Sequence, residues 1–409
     1  MSKIRIKNFG PIKEGNLEND GWIEVKKVTL FIGNQGSGKS TVAKLISTLT
    51  WMEKAMNRGD ISESWSINGF KKQFEYQNLQ FYFKENTIIE YIGEKYDIIF
   101  NKEDSLYPIV QQKSNENYLV PKIMYVPAER NFLSVIKNAT GVRGLPAPLF
   151  EFAEELKRCQ SNSDGEEISL PINGVNYKYE LESDTSFIIG EDFKLNLLAA
   201  SSGFQSLVPL YLVSFSLANI IRNGSEINPS NISVDQSIRL DSEISSIMLD
   251  SNLSNDEKLS KVEQIKSKFQ NKTFINIVEE PEQNLFPSSQ QKMLNSLLEF
   301  NNLNEGNKLI MTTHSPYLIN YLTLCVKADM VKSNLNSDES KRKLAEIVPL
   351  QSTVNSDDLI IYELDETNGT IKKLDDYKGL PSDENYLNDS LEDTNELFAQ
   401  IQEIEKGWR

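Results

Sequence analysis

The sequence predicts an α/β protein whose core is a mixed sheet, with an antiparallel β-subdomain and a helical insertion. Three observations support this class. An apolar strand at residues 28–32 leads into a glycine-rich segment and then into an amphipathic helix. Two later apolar strands, at residues 273–278 and 308–312, each lead into a further helix. Between residues 76 and 100, short strand-like segments and a turn indicate an antiparallel meander.

The remaining elements follow in chain order from the spacing of the apolar residues. Residues 3–32 are predicted as strands, and the meander contains strand-like segments at 79–83 and 88–92. We then expect a strand at 122–126, mostly helix at 131–158, two or three strands within 167–200, a buried helix at 206–221, and polar helices over 234–270 with a break near 254–256. The sequence has no internal repeat and no sustained heptad pattern, so a long coiled-coil arm is not expected.

The composition excludes several classes of function. The 409 residues are 39% hydrophobic and 25% charged, which is enough apolar material for a sizeable core. One histidine, His314, and two cysteines cannot supply a disulfide framework or a zinc cluster. The first residues lack the apolar segment of a signal peptide, and the longest apolar run, at 207–221, is interrupted by polar residues. We therefore expect a soluble, cytoplasmic protein without a membrane partner.

The charge is unevenly distributed along the chain. The net charge is −16, from 43 basic and 59 acidic residues, and residues 351–409 contribute 15 acidic and 5 basic residues to those totals. A chain with this much negative charge does not bind DNA over its whole surface. Any contact with DNA therefore needs a local basic patch. The acidic C-terminal region is interpreted as a solvated surface, as a partner-docking surface or as a shield against DNA.

A phosphate-binding loop follows the first apolar strand. The segment GNQGSGKS at residues 33–40 fits the pattern G-x-x-x-x-G-K-[S/T] in full, between a strand and an amphipathic helix. Glycines let backbone N–H groups surround phosphate oxygens, and the helix N-terminus adds partial positive charge. Lys39 would neutralise the β- and γ-phosphates of ATP, and the Ser40 hydroxyl would ligate Mg²⁺. The predicted ATP-binding residues are Gly33, Asn34, Gln35, Gly36, Ser37, Gly38, Lys39, Ser40 and Thr41.

Two later strands end in residues that suit phosphate chemistry. The strand at 273–278 is followed by Glu279, a candidate to organise Mg²⁺, and Glu280, a candidate to orient or deprotonate the attacking water. The strand at 308–312 is followed by His314, which can hydrogen-bond a γ-phosphate. Small polar residues and a glycine at 200–206 precede the buried helix, where they form either an ordinary helix cap or a second anion site.

Together these motifs resemble the ATP-binding cassette ATPases of the SMC, RecF and OLD (overcoming lysogenization defect) group. The opening segment IRIKNFGPI at residues 4–12 resembles that group's first strand, and EEPEQNLFP at 279–287 is similar to the OLD-type Walker B and D-loop. Residues 202–205 resemble the cassette signature, residues 313–316 the switch-histidine loop, and residues 126–130 the segment where transporters carry the Q-loop. The resemblance covers roughly residues 1–325.

The resemblance implies a P-loop NTPase head that shares its ATP with a second copy. Ser202, Gly203 and Gln205 would act as the signature toward the partner's ATP, and either Glu129 or Arg130 would take the Q-loop role. It also implies four regions: an N-terminal ATPase lobe at 1–130, an inserted helical and β subdomain at 131–270, a C-terminal ATPase lobe at 271–330, and an acidic region at 331–409. Hydrolysis is expected to be slow and to act as a switch.

The chain is expected to be an ATPase-only member of this group. Only 95 residues follow His314, and they contain no D-x-D after a strand that would indicate the Toprim nuclease of OLD proteins. Our leading hypothesis is a homo-oligomeric scaffold or sensor ATPase that controls a separately encoded nuclease or toxin in bacterial anti-phage defence. The alternatives are a RecF-like or SMC-like DNA-repair ATPase that binds DNA itself and, from another class, the ATPase subunit of a transporter.

Overall fold

The computed structural model describes residues 2–101, 107–115, 117–136, 139–224 and 234–406. Its centre is a seven-stranded mixed sheet with the order β2-β16-β15-β4-β14-β13-β8. The five strands from β15 to β8 are mutually parallel, and β16 pairs antiparallel with β15. The strands are β2 (Gly15–Asn16), β4 (Val28–Gly33), β8 (Pro121–Val126), β13 (Thr273–Glu279), β14 (Lys308–Thr312), β15 (Leu359–Asp365) and β16 (Thr370–Lys373). The predicted α/β class with a mixed sheet is confirmed.

An antiparallel sheet of five strands covers one face of the molecule, in the order β3-β1-β5-β6-β7. Its strands are β1 (Ser2–Phe9), β3 (Trp22–Val25), β5 (Phe83–Ile92), β6 (Tyr96–Asn101) and β7 (Ile109–Gln112). Helix α1 (Lys39–Asn57) lies between this sheet and the central one. Its apolar residues form a single core with residues of both sheets. The predicted meander is confirmed from Phe83 onward. The expected strand at 79–83 is wrong in its first four residues, which form hydrogen-bonded turns after α2 (Ile67–Lys72).

Helices and a second small sheet cover the opposite face of the central sheet. The helices are α3 (Ala147–Asn162), α4 (Ser202–Arg222), α7 (Pro287–Asn302) and α8 (Pro316–Lys332). The sheet has the order β12-β11-β10-β9, with β9 (Glu167–Ser169), β10 (Asn176–Glu180), β11 (Thr185–Ile189) and β12 (Lys194–Asn196). Apolar residues from the four helices and from β9, β10 and β11 form one core with the facing side of the central sheet.

Helix α4 is longer than the apolar run that predicted it. Over its 21 residues, it is the one helix in the described part of the chain with the length and hydropathy to cross a membrane. The apolar run at 207–221 that the sequence analysis considered makes up only part of this helix. Its apolar residues pack against α3, α7 and β13, and 61% of its most apolar stretch is buried inside the protein. Core helices of folded domains pass the same test of length and composition.

A polar helical hairpin projects from the end of α1. Helices α5 (Val234–Leu249) and α6 (Asn255–Phe269) pack against each other, and the break between them falls at the predicted position. Ser254 and Glu257 form a capping box that starts α6, since each side chain accepts a hydrogen bond from the other's backbone N–H. Arg239 of α5 forms an ion pair with Asp60, which follows α1.

The acidic C-terminal region is part of the central sheet. After α9 (Asp338–Ile347), β15 inserts beside β4, pairing Leu359 with Val28 and Leu364 with Gly33. Residues 331–409, which the sequence analysis sets apart as an acidic region, thus contribute a strand to the central sheet. Residues 359–364 form a buried, mostly apolar run that requires partners on both sides. Short strands β17 (Asp376–Tyr377) and β18 (Leu380–Pro381) precede the last helix, α10 (Tyr386–Lys406).

Candidate active site

The phosphate loop connects β4 to α1 at the carboxyl end of the central sheet. Gly33 is the last residue of β4, and Lys39 is the first residue of α1. Gly38, at φ +104°, has the left-handed conformation that favours glycine, and a Cβ there would lie 2.5 Å from the Ile12 side chain. Around Gly36, by contrast, a Cβ would find no atom within 4 Å. The tip of the loop therefore faces open space, as a loop that surrounds a ligand must.

Lys39 holds the loop together from inside. Its Nζ donates hydrogen bonds to the carbonyl oxygens of Gly33, at 2.9 Å, and Asn34, at 2.8 Å. Burial lowers the pKa of Lys39 to about 8, although the surrounding carboxylates oppose the shift. The Ser37 hydroxyl is buried and has no hydrogen-bond partner among the residues that the structure describes. The site thus has a partly desolvated cation and an unsatisfied polar atom, both of which phosphate oxygens would satisfy.

The rest of the predicted loop is arranged around this lysine. Asn34 donates from its side chain to Glu366 at 2.8 Å, so the C-terminal segment contacts the loop directly. Gln35 and Ser40 are exposed, and Thr41 is buried against the sheet. Ser40 is the second residue of α1, which places it beside the first free N–H groups of the helix.

Two adjacent carboxylates follow β13, in different surroundings. Glu279 is buried, with Oε2 accepting from the Ala128 N–H at 3.3 Å, and its carboxylate lies beside the buried Tyr125 hydroxyl, whose pKa it helps to raise. Glu280 has a left-handed backbone, φ +46°, and its N–H donates to the Thr312 carbonyl of β14 at 2.9 Å. Burial and then the charge of Glu279 raise the pKa of Glu280, although nearby cations oppose the shift. A raised pKa brings a carboxylate closer to that of an effective general base.

His314 lies beside Glu280 at the end of β14. Its Nε2 is 3.9 Å from Glu280 Oε1. Burial and the charge of Lys39 lower the pKa of His314, opposed by a hydrogen bond to the Gly33 carbonyl, so the imidazole is neutral at pH 7. Its backbone N–H donates to Glu282 Oε1 at 2.9 Å. The structure therefore brings Lys39, Glu280 and His314 together at one edge of the sheet.

Glu282 is the site residue that the sequence analysis missed. Burial raises the pKa of Glu282, although hydrogen bonds from the His314 backbone and the Thr313 side chain oppose the shift. Glu282 holds the backbone of the switch-histidine loop through the His314 N–H. The available signal was the acid directly after Pro281 in EEPEQ, but nothing in the sequence shows that this side chain reaches β14.

The predicted Mg²⁺ ligands fit the ion in their chemistry. Glu279 has a buried carboxylate at the end of β13, and Ser40 has a hydroxyl at the start of α1. Hard cations prefer such oxygens, and Mg²⁺ usually binds few protein ligands and completes its shell with water and substrate phosphates. Accordingly, the described residues contain no group of three or more His, Cys, Asp or Glu side chains suited to a metal ion.

Comparisons with known proteins agree with this site in part. The model of the AAA ATPase domain family matches residues 244–319, a segment that contains Glu279, Glu280 and His314 but not the phosphate loop. No curated protein matches the sequence significantly. The chain has the α/β fold of a P-loop ATPase.

Among solved structures, this chain is similar at low identity to two SMC head domains and one ATP-binding cassette. The SMC head domain from Thermotoga maritima is 13% identical over 92% of this chain and 98% of its own, with a TM-score of 0.38. The Smc head with an extended coiled coil, bound to the C-terminal domain of ScpA from Pyrococcus furiosus, is 10% identical over 98% of this chain and 100% of its own, with a TM-score of 0.38. A dimeric ATP-binding cassette bound to ADP and Pi is 11% identical over 92% of this chain and 100% of its own, with a TM-score of 0.29.

The residues predicted as a signature motif lie at the start of α4. Ser202 is exposed and Gly203 is half-buried, and within the described chain no hydrogen bond joins either to the phosphate loop. A Cβ at Gly203 would lie 3.0 Å from the Asn284 carbonyl, so this end of α4 packs closely on the loop after Glu280. Gln205 points back and donates to the carbonyls of Leu197 and Leu198, at 3.3 and 3.1 Å. Its side chain is therefore engaged inside its own chain.

The two candidates for the Q-loop role have opposite surroundings. Glu129 is exposed, whereas Arg130 is completely buried. The Arg130 guanidinium donates to four backbone carbonyls, among them those of Glu279 and Glu280 at 2.7 and 2.6 Å. The Arg130 side chain therefore binds the backbone of the turn that follows β13.

Proposed function

We propose that the chain hydrolyses ATP with Mg²⁺. The observation that carries this proposal is the convergence of Lys39, Glu280 and His314 at the carboxyl ends of three neighbouring parallel strands. Lys39 binds the β- and γ-phosphates in place of the two carbonyls it now contacts. Glu280 orients and deprotonates the attacking water, and the neutral His314 imidazole donates a hydrogen bond to the γ-phosphate. Ser40 and Glu279 hold Mg²⁺, which supplies charge neutralisation of the phosphates.

The substitution Glu280→Gln tests this assignment. It keeps the size of the side chain and removes the base, so phosphate release should slow by about a hundredfold or more while ATP still binds. Glu366→Gln is the matched control. This exposed carboxylate accepts a hydrogen bond from Asn34 of the phosphate loop, and within the described residues it forms none with Glu280 or His314. Normal hydrolysis by the Glu280→Gln protein would remove Glu280 from its role.

We further propose that ATP joins two copies of the chain. This proposal is supported by the exposed Ser202 and the half-buried Gly203 at an α4 N-terminus that forms no hydrogen bond with its own phosphate loop within the described residues. Such a helix end offers N–H groups to a phosphate of another copy. The Glu280→Gln protein should form an ATP-dependent dimer or larger oligomer in light scattering. Ser202→Arg, which places a long side chain at the proposed interface, should prevent it, and Ser163→Arg, away from α4's N-terminus, should not.

The cellular role that we propose is a cytoplasmic scaffold or sensor in bacterial anti-phage defence that controls a separately encoded nuclease or toxin. Helix α10 supports a protein partner. From residue 395 onward its described side chains are all exposed, and Leu397, Phe398, Ile401 and Ile404 are each more than half exposed. Their spacing places Leu397, Ile401 and Ile404 along one face, which a partner would cover.

The charge of α10 favours an effector surface edged with Lys or Arg over a second copy of the helix. Tyr386–Lys406 contains six acidic residues and one lysine, so two copies of it would bring like charges together. The first turn is anchored beside the site, because the Tyr386 N–H donates to Glu363 of β15 at 2.6 Å. A partner bound to α10 would therefore be linked, through the bond between Tyr386 and Glu363, to strand β15, which pairs with the strand before the phosphate loop.

A designed helical peptide with a leucine stripe edged by lysines is the probe for this surface. It should bind the protein about tenfold or more tightly than a peptide edged by glutamates, and the double variant Ile401→Ser, Ile404→Ser should lose about the same factor. Asn395→Ser, Gln402→Ser on the other face is the matched control. Equal binding of both peptides, or binding that the double variant leaves unchanged, would contradict the docking surface.

A further inference from the structure

Arg130 connects three segments that are far apart in the sequence. Its side chain is 0% exposed, and Nη1 donates to the carbonyls of Glu279, at 2.7 Å, and Pro127, at 3.3 Å. Nη2 donates to the Glu280 carbonyl at 2.6 Å, and Nε donates to the Ser206 carbonyl at 3.2 Å. One guanidinium therefore holds its own 3-10 turn (Ala128–Ser134), the catalytic turn after β13 and the first turns of α4.

The acceptors of Arg130 are backbone carbonyls only. In the described part of the chain no carboxylate oxygen lies within ion-pair distance of its guanidinium. A buried cation is costly unless its N–H groups are satisfied, and replacing one partner leaves the charge uncompensated. The pKa of Arg130, lowered by burial to about 10, still leaves it charged at neutral pH. If one of the three segments moves, Arg130 must either lose a hydrogen bond to it or move with it and strain its bonds to the other two.

Proline in α4 explains why the 3-10 turn attaches at this point. Pro209 has no N–H, so the Gln205 carbonyl four residues earlier lacks its helical donor. The Ser134 hydroxyl donates to that carbonyl at 2.7 Å, next to the Arg130 bond to Ser206. Asn284, four residues after Glu280, also donates to the Ser206 hydroxyl at 2.9 Å. The start of α4 and the catalytic turn are thus joined at several adjacent points.

The backbone of Glu280 is held at both ends of the residue. Its N–H is bound to Thr312 of β14, and its carbonyl is bound to Arg130. A left-handed conformation is unfavourable for a glutamate and persists only when its surroundings fix it. This conformation directs the carboxylate toward His314. Movement of Arg130 would therefore change the direction of the proposed base.

We propose that Arg130 is a positioning residue that couples contact at the N-terminus of α4 to the orientation of Glu280. The inference rests on the proposed function, in which a second copy's ATP binds at Ser202 and Gly203. That contact pulls the first turns of α4 toward the partner, and the Ser206 carbonyl moves Arg130 with it. Arg130 in turn shifts the Glu280 carbonyl that it binds, which orients the Glu280 carboxylate for hydrolysis. Hydrolysis therefore proceeds when two copies are in contact.

The test measures turnover per protomer as the protein concentration rises. The wild-type turnover should increase as copies associate. Arg130→Lys keeps the charge but loses the planar fork that reaches several carbonyls. It should bind ATP within about threefold of wild type, and should associate normally when combined with Glu280→Gln, but its turnover should stay flat and at least about tenfold below wild type at high concentration. Ser134→Ala, which removes one tie and leaves Arg130 in place, should keep at least half of the increase.

The outcomes separate the two proposals. A wild-type protein without ATP-driven association contradicts the shared-ATP part of the proposed function. Normal stimulation of Arg130→Lys, loss of its ATP binding, or an equal loss in Ser134→Ala overturns the role of Arg130. Because Arg130→Lys could unfold, hydrogen exchange of the Glu280→Gln protein provides an independent measurement. ATP-driven association should slow exchange at 202–206, 128–134 and 279–282 together, and protection confined to 202–206 overturns the coupling.

Discussion

The lowered pKa of Lys39 predicts a specific pH dependence of ATP binding. In the free protein this pKa is about 8, because the ammonium is buried and bonded only by carbonyls. ATP phosphates favour the charged form and raise the pKa, so binding takes up a proton and the affinity falls as the pH rises through the free value. From a pKa of about 8, the protonated fraction drops from about three-quarters at pH 7.5 to about one-tenth at pH 9. The affinity for ATP should therefore fall about eightfold over that interval.

Calorimetry in buffers of different ionisation enthalpy checks the same pKa directly. At pH 8 the uptake should be about half a proton per ATP, because half of the free protein already carries the charge. The thiols of Cys159 and Cys325, with pKa values raised by burial to about 12, do not titrate in this interval. Lys39→Met should bind weakly and without the pH dependence. A constant wild-type affinity between pH 7.5 and 9, with no proton uptake, would refute the reasoning.

Three further perturbations have defined outcomes. His314→Ala should lower phosphate release by about a hundredfold while ATP affinity stays within about threefold, and unchanged release would exclude the γ-phosphate contact. Glu282→Leu, which removes the acceptor for the His314 N–H, should lower turnover about tenfold, whereas Glu282→Gln keeps an acceptor and should retain most of it; equal loss in both would assign the effect to charge instead. Gly38→Ala should lower the free energy of unfolding in urea by about 1–3 kcal/mol. The loss should exceed that of Gly36→Ala, because only a Cβ at residue 38 also meets the Ile12 side chain. Equal losses in the two variants would contradict the steric argument.

Local patterns predicted the site well, and long-range contacts account for what they missed. The phosphate loop, Glu280 and His314 could be predicted because each follows an apolar strand, and parallel strands place their carboxyl ends at one edge. Arg130 could not be placed, because its partners are carbonyls 76 and 149 residues away, which any residue type provides. The position of β15 was missed for a similar reason. Its residues are apolar, but no feature of their sequence identifies β4 as the neighbour.

The position of β15 also determines when the nucleotide site can form during protein synthesis. Strand β4 pairs with β14 on one side and with β15 on the other, and both lie far downstream of it in the chain. A ribosome that has made the phosphate loop must add more than three hundred further residues before Leu364 can pair with Gly33. Until then the loop-bearing strand has unpaired edges, which are prone to pair with other chains. The nascent chain is therefore most vulnerable to aggregation before its C-terminal third emerges, and ATP binding is among the last properties that it acquires.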